Sequence, residues 1–285
     1  MKTIILSDHT RDQVLQFEAA RAAEQRGNWS RYQDQLNRYY ECRARVRQSL
    51  KDAWANRKPW QLIKAVFEWM AVRRRPVPQL MQMRPPSDRE CAVAAGNQGE
   101  ALVLRALEIA LNDEWTVLRG YRNNMGEVDL IAVGPDGIAA LEVKHVNGEI
   151  HCCQDQWWKD KWDNYRNLVE HGTVIQDRGG RSPSRQVNEV TDALEEFLAK
   201  RGLPYRIIRI VVLTHPKSEY GCMSELTVNW VCRLVDLNLP LACAVGRYKL
   251  CGAEIARAVS LIQKDHEFHR ASLQRKRERV STIAV

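Results

Sequence analysis

The stretch Gly126-Glu-Val-Asp-Leu-Ile-Ala-Val-Gly-Pro-Asp-Gly-Ile-Ala-Ala-Leu-Glu-Val-Lys144 decides which fold the sequence predicts. Two runs rich in β-branched and apolar residues flank Gly134–Gly137, whose composition is typical of a hairpin turn. Because side chains alternate between the two faces of a strand, Asp129 lies on one face of the first strand and Glu142 and Lys144 share one face of the second. The stretch therefore predicts a hairpin with charged side chains on one face.

The charged face of this hairpin has the composition of a metal-dependent hydrolytic site. If the strands pair through the predicted turn, Asp129 and Glu142 lie within reach of each other, and paired carboxylates bind hard cations such as Mg²⁺. The ammonium group of Lys144 can hold or polarise a water for in-line attack on phosphorus. The alternative is that these acids and the lysine merely pair at the surface of two exposed strands.

The sequence outside the hairpin predicts an α/β (α+β) domain with a central mixed sheet flanked by helices. The predicted helices cover residues 98–112, 154–169, 184–200 and 252–264; the predicted strands cover 115–121, 127–133, 138–144, 205–213 and 226–232; a loop is predicted over 172–182.

The first third of the chain reads differently, as a helical region. Residues 10–75 predict two or three antiparallel helices, interrupted at Gly27-Asn28 and resumed at Pro59, with aromatic side chains as their seam. We divide the chain into a basic helical module (1–75), a Pro-rich linker (76–92), the α/β domain (93–263) and a basic carboxy-terminal tail (264–285).

Composition restricts the class of protein. The chain has 285 residues, of which 45% are hydrophobic and 27% charged, and these fractions exclude collagen-like, low-complexity and mostly disordered proteins. No apolar run approaches the roughly 20 residues that span a bilayer, and no export signal is visible. We therefore expect a soluble cytoplasmic protein with no membrane partner, whose eight cysteines are reduced thiols, mostly in the core.

Charge is unevenly distributed along the sequence. The net charge is +8, and residues 1–90 hold 18 basic against 10 acidic side chains. Such an excess indicates an anionic partner, most commonly nucleic acid, although a solvated helical face gives the same count. In a third interpretation the helices dock a protein partner. No G-x-x-x-x-G-K-[ST] motif is present, so an ATPase or helicase activity would need a separate subunit.

Several motifs follow one another in a characteristic order: Gly96-Asn-Gln-Gly-Glu100, Gly126-Glu-Val-Asp129-Leu-Ile, Gly137-Ile-Ala-Ala-Leu-Glu142-Val-Lys144, Gly148, Trp157-Trp158 and Pro183-Ser-Arg-Gln186. Together they resemble the nuclease-related (NERD) domain, a member of the PD-(D/E)xK, restriction-endonuclease-like superfamily. The resemblance covers about residues 93–215.

The resemblance implies roles for five residues. Asp129 and Glu142 would be ligands of Mg²⁺ or Mn²⁺, and Lys144 a water-positioning base or electrostatic stabiliser. Glu100 would complete the metal shell directly or through water, and Gln186 would reach toward the acids or the scissile phosphate. The implied activity is metal-dependent hydrolysis of phosphodiesters, DNA above all, by an endonuclease that would fit a bacterial defence or mobile-element system. The alternative is a partner-dependent, non-cleaving subunit that binds nucleic acid.

The sequence leaves two further groups of residues open. Trp158 and Trp162 recur at helical spacing and are assigned to the core, whereas Trp157 is left unassigned. Three arginines around Gly179-Gly180 form either a phosphate-contacting loop or a solvated loop; they are Arg178, Arg181 and Arg185.

Overall fold

The computed structural model describes residues 1–177, 179–238, 241 and 249–283, with side chains as far as Arg275. The chain forms two compact units. One comprises residues 1–13 together with 91–285, and the other comprises residues 14–90.

The described helices are α1 (His9–Ala55), α2 (Pro59–Arg73), α3 (Asp88–Ala110), α4 (Pro183–Ala199) and α5 (Gly252–Ile283). The strands are β1 (Lys2–Ile5), β2 (Thr116–Arg122), β3 (Glu127–Gly134), β4 (Gly137–Lys144), β5 (Gly148–Cys153), β6 (Gln156–Trp162), β7 (Leu168–Val174), β8 (Ile207–Leu213), β9 (Ser218–Ser224) and β10 (Trp230–Arg233). Within these ranges no helix is both long and apolar enough to cross a membrane.

A six-stranded mixed sheet lies at the centre of the larger unit, in the order β1-β2-β3-β4-β8-β10. The β2–β3 and β3–β4 pairs are antiparallel, and β4 pairs with β8 in parallel. Helix α3 packs Val103 and Leu107 against one face. Helices α4 and α5 cover the other face with side chains such as Val187, Leu194 and Ile262. The predicted class, a mixed α/β fold with helices flanking the sheet, is confirmed.

The hairpin that the sequence predicts lies in the middle of this sheet. Its register pairs Gly134 with Gly137 at the turn and continues to Leu130 opposite Leu141. Gly137 has a φ of +130°, a conformation that side chains disfavour, which explains the glycine at that end of the turn. Every residue of β4 before Lys144 is buried, and the charged residues of the two strands lie at the end away from the turn.

The helix predicted over residues 154–169 is wrong, because this segment forms β6 and the start of β7. These strands belong to a second, four-stranded sheet in the order β7-β6-β5-β9. Trp157 is only 2% exposed and donates its indole N–H to Ser184 Oγ at 2.9 Å, whereas Trp162 is 49% exposed. A spacing of four, as between Trp158 and Trp162, repeats on one face of a strand as well as of a helix. The tryptophan spacing could therefore not distinguish the two structures.

Smaller differences concern the ends of elements. The loop predicted over 172–182 begins later, because β7 continues to Val174, and the strand predicted over 226–232 shortens to β10. Strand β9 was not predicted at all. The segment expected to be a basic tail from residue 264 continues α5 as far as Ile283.

The helical unit of residues 14–90 differs from its predicted form. Helix α1 runs through Gly27 without a break, since one glycine costs a helix only about 1 kcal/mol. The predicted aromatic seam forms only in part: Trp29 and Trp54 of α1 and Trp60 of α2 are exposed, whereas Tyr32 and Tyr39 are half-buried. Ala53 and Ala65 are among the few buried residues of this unit.

The amino-terminal residues were assigned to the helical module, but they belong with the sheet. Strand β1 pairs in parallel with β2, from Lys2 opposite Thr116 to Ile5 opposite Arg119. A four-residue strand carries too little periodicity to be recognised before its partner is known.

The described cysteines are free thiols, but most of them are not in the core. Cys152 and Cys232 are buried, and burial raises the pKa of each to about 12. The five others are partly or fully exposed: Cys42, Cys91, Cys153, Cys222 and Cys251. Cys243 lies outside the described residues.

The strand assignment of residues 156–162 predicts unequal effects of two tryptophan substitutions. Trp157→Ala removes a buried ring and its hydrogen bond, and we expect it to lower the free energy of unfolding by about 3–5 kcal/mol. The matched control Trp162→Ala, at an exposed position, should change it by less than about 1 kcal/mol. Urea denaturation of both variants measures this. Equal losses of unfolding free energy in the two variants would contradict the assignment of this segment to a strand.

Candidate active site at the open end of the hairpin

The pairing of β3 with β4 brings two carboxylates together beneath the sheet surface. The register ends with Leu130 opposite Leu141, and the next residue of each strand beyond this pair is an acid, Asp129 in β3 and Glu142 in β4. Asp129 Oδ2 accepts a hydrogen bond of 2.6 Å from the backbone N–H of Val143, which fixes its carboxylate across the strand pair. Glu142 is 1% exposed. The hairpin therefore holds two acids, side by side, in a setting largely closed to water.

Lys144 and Gln186 complete a connected network with these acids. The ammonium group of Lys144 donates to Glu142 Oε1 at 2.6 Å and to Gln186 Oε1 at 3.3 Å. The amide of Gln186 in turn donates to the backbone oxygen of Glu127 at 3.4 Å. Gln186 reaches this point because it lies in the first turn of α4, which packs on β4 and β8.

The beginning of α4 is fixed by local sequence. Pro183 occupies the first helical turn, where its missing N–H is not needed, and Ser182 Oγ accepts a hydrogen bond of 3.2 Å from the N–H of Arg185. This cap determines where the helix starts and hence where Gln186 points.

Glu100 approaches the same acids from α3, on the other side of the sheet end. Its charge raises the pKa of Asp129, so the two carboxylates are close enough to interact electrostatically. Its own Oε2 accepts hydrogen bonds from Arg119, at 3.2 Å from Nε and 3.0 Å from Nη2. The structure thus brings the five residues singled out from the sequence to one region, with Glu100 held by an arginine.

Burial and like charge raise the pKa of the central acids. Burial, then the nearby charges of Glu142 and Glu100, raise the pKa of Asp129 well above its usual value. Burial also raises the pKa of Glu142, although Lys144 opposes it. Burial alone would lower the pKa of Lys144, but the two carboxylates outweigh it and raise that pKa. Lys144 is therefore an ammonium ion at neutral pH.

The donor set fits a hard divalent cation. Glu142 Oε2 is buried and has no hydrogen-bond partner, although a buried carboxylate oxygen normally has one. A cation would relieve the like charges that raise the pKa of Asp129, and carboxylate oxygens are the ligands that Mg²⁺ and Mn²⁺ prefer. Within the described part of the chain, no group of three or more histidines, cysteines or acids is close enough to form a metal site alone. Asp129 and Glu142 would therefore bind a cation as a pair, with water completing its coordination.

Two residues of this region escaped the sequence analysis. Arg119 is buried in a strand that is otherwise mostly apolar, and Asp8, far away in the sequence, contacts it. A charged residue inside a buried strand was a signal for Arg119. Nothing local in the sequence indicated Asp8.

The remaining residues considered from the sequence lie around the site. Glu127 is half-buried and forms an ion pair with Arg122. His145 turns away from the acids and contacts Thr214 and His215. Of the three arginines around Gly179-Gly180, Arg181 bonds to Asp177 and to the Met125 carbonyl, and Arg185, in the first turn of α4, bonds to Glu189; Arg178 lies outside the described residues.

The raised pKa of Asp129 predicts that an amide at this position stabilises the metal-free protein. Above the raised pKa the fold holds an ionised carboxylate at a cost, and the Asp129→Asn variant would not carry that cost while its amide oxygen still accepts the Val143 N–H. We expect Asp129→Asn to raise the melting temperature by a few degrees at pH 8 in EDTA, and the gain to vanish as pH falls below the pKa of an unfolded aspartate.

Thermal melts between pH 3 and pH 8 measure this, with Asp136→Asn as the matched control. Asp136 lies at the turn end of the same hairpin and pairs with Lys249, so its substitution should give no gain. A lower melting temperature for Asp129→Asn at pH 8 would contradict the account.

Comparison with known proteins agrees with this geometry. Residues 95–214 match the family model described as a nuclease-related domain (NERD), and that range contains Glu100, Asp129, Glu142, Lys144 and Gln186. No curated protein and no solved structure matches the chain. Residues 95–214 are thus similar to a nuclease-related (NERD) domain, in agreement with the resemblance seen in the sequence.

Proposed function

We propose that this protein is a metal-dependent endonuclease that hydrolyses phosphodiester bonds, most readily in DNA. The observation that carries the proposal is the network of Asp129, Glu142, Lys144 and Gln186 inside a nuclease-related domain. The buried Glu142, which has an unpartnered oxygen, and the half-buried Asp129 lie next to an ammonium group. Such a set has a clear use in phosphoryl chemistry, whereas as a purely structural arrangement it costs stability.

Asp129 and Glu142 would hold Mg²⁺ or Mn²⁺, with Glu100 contributing directly or through a water. The bound cation would supply Lewis-acid stabilisation of charge on the phosphate and lower the pKa of a bound water. In hydrolysis a water oxygen forms a bond to phosphorus, the bond to one ester oxygen breaks, and the products are a phosphate monoester and a hydroxyl.

Lys144 would act as an electrostatic stabiliser in this reaction. Its raised pKa keeps it protonated, so it can donate hydrogen bonds to the attacking water or to a phosphate oxygen but cannot accept a proton. Gln186 accepts from Lys144 and donates to the Glu127 carbonyl, and it would hold the ammonium group in place.

Cleavage assays test the proposal most simply. Supercoiled plasmid, linear duplex, single-stranded DNA and RNA would be incubated with Mg²⁺, Mn²⁺ or EDTA. We expect metal-dependent cutting of DNA, and a loss of about 10²–10³-fold or more in Asp129→Ala and Lys144→Ala, since each removes a charge from the reacting centre.

Matched controls are available at the other end of the same hairpin. Asp136 and Lys249 form an exposed ion pair beside the turn, so Asp136→Ala and Lys249→Ala should cut like the wild type. Full metal-dependent activity of Asp129→Ala or Lys144→Ala would contradict the proposal. Binding without cleavage in either metal would favour the alternative, a nucleic-acid-binding subunit that depends on a partner.

The helical unit would bind the phosphate backbone of the nucleic acid. Its cations are exposed, including the run Arg73-Arg74-Arg75 at the end of α2 and the series Arg43, Arg45 and Arg47 along α1. Exposed arginines bind phosphates and release counterions, which makes binding salt-dependent. We assign the protein to the cytoplasm, and a bacterial defence or mobile-element role remains an analogy with the family.

Substituting the arginine run tests this role. Changing Arg73, Arg74 and Arg75 together to glutamine should weaken DNA binding and reduce the slope of log K against log salt by up to about 2.7 for three phosphate contacts. Fluorescence anisotropy at several salt concentrations, with duplex DNA and catalytically inactive protein, measures it. An unchanged slope would contradict the contact, and association of the helical unit with a protein that survives high salt would favour the docking interpretation.

A further inference from the structure

Arg119 shares its guanidinium group between two carboxylates from different parts of the chain. On one side Nε and Nη2 donate to Glu100 Oε2, at 3.2 and 3.0 Å, and Nη2 also donates to Asn97 Oδ1 at 3.2 Å. On the other side Nη1 donates to Asp8 Oδ2 at 3.3 Å, and Asp8 Oδ1 lies 3.0 Å from Nη2. The arginine side chain is 9% exposed, so these contacts are screened little by solvent.

Asp8 is held in this position by the backbone that precedes it. The N–H groups of Leu6 and Ser7 donate to the carbonyl of Arg119, at 2.9 and 3.3 Å, and Ser7 Oγ donates to the Gly120 carbonyl at 2.8 Å. Gly120 has a φ of +71°, and a Cβ there would overlap the carbonyl oxygen of Ser7. The chain after β1 is therefore fixed against β2 beside Arg119.

We propose that the segment Leu6–Thr10 is a working part of the active site, in which Asp8 and Arg119 are positioning residues for Glu100. The proposal rests on the proposed function, because Glu100 matters as part of the acid group. The side chain of Thr10 also hydrogen-bonds to Glu100, so this segment contacts the carboxylate both directly and through Arg119. Residues 6–10 lie outside the stretch that matches the family.

The balance of charges around Glu100 explains the role that we propose for Asp8. Arg119 alone would neutralise Glu100, whereas Asp8 takes part of the arginine's charge and leaves Glu100 available to a cation. The group then holds five carboxylates against four cations, a net charge of −1 that favours a bound cation; the carboxylates are Asp8, Glu100, Glu127, Asp129 and Glu142, and the cations Arg11, Arg119, Arg122 and Lys144.

Removing the charge of Asp8 should therefore weaken metal binding without touching a proposed ligand. We expect Asp8→Asn to bind Mn²⁺ about tenfold or more weakly than the wild type, the size of effect seen when groups that orient ligands are removed. Asp12→Asn is the matched control, because Asp12 is an exposed acid four residues further along the chain, in the first turn of α1. Asp8→Glu, which keeps the charge, should retain most of the affinity.

Isothermal titration of the full chain with MnCl₂ measures these affinities, and a thermal melt in EDTA verifies that each variant is folded. Unchanged affinity in Asp8→Asn, or equal loss in Asp8→Glu and Asp8→Asn, would overturn the positioning role and leave the proposed function intact. Asp129→Asn distinguishes the two claims. If it binds Mn²⁺ as the wild type does, or if the wild type binds none, the metal site itself is wrong and both proposals fall.

Discussion

The rest of the site depends on the pairing of Asp129 with Glu142 across the β3–β4 hairpin. The register that places Leu130 opposite Leu141 brings the two acids that follow this pair next to each other. Buried like charges destabilise a fold unless something compensates them. The neighbouring groups can be understood as compensation: the Val143 N–H for one carboxylate, and the Lys144 ammonium for the other.

The negative charge of these acids is only partly compensated within the protein, and this surplus charge connects the fold to the proposed chemistry. One oxygen of Glu142 has no hydrogen-bond partner, and the pKa of each central acid remains raised despite the lysine. Arg119 could have neutralised Glu100 fully, but Asp8 shares it. We propose that this site, which keeps surplus negative charge in a largely closed setting, binds a cation from solution, and its central acids lie in the stretch that matches the nuclease-related family model.

The sequence predicted the hairpin and its acids because both depend on short-range rules, namely strand alternation and a Gly134–Gly137 turn. It predicted α4 for the same reason, from Pro183 and an apolar face. It failed where a pattern fits two structures, as in the tryptophan segment of β6. It also failed where a partner is remote: Asp8 contacts Arg119 only because β1 pairs with β2, and no local pattern reveals such a pairing.

The most direct test of the central claim is anomalous diffraction from crystals grown with Mn²⁺, recorded at the manganese edge. The account predicts a peak bound by Asp129 and Glu142, on the side of the unpartnered Glu142 oxygen, and no peak there in crystals of Asp129→Asn. A peak elsewhere, or none at millimolar Mn²⁺, would contradict the claim that this hairpin binds a metal.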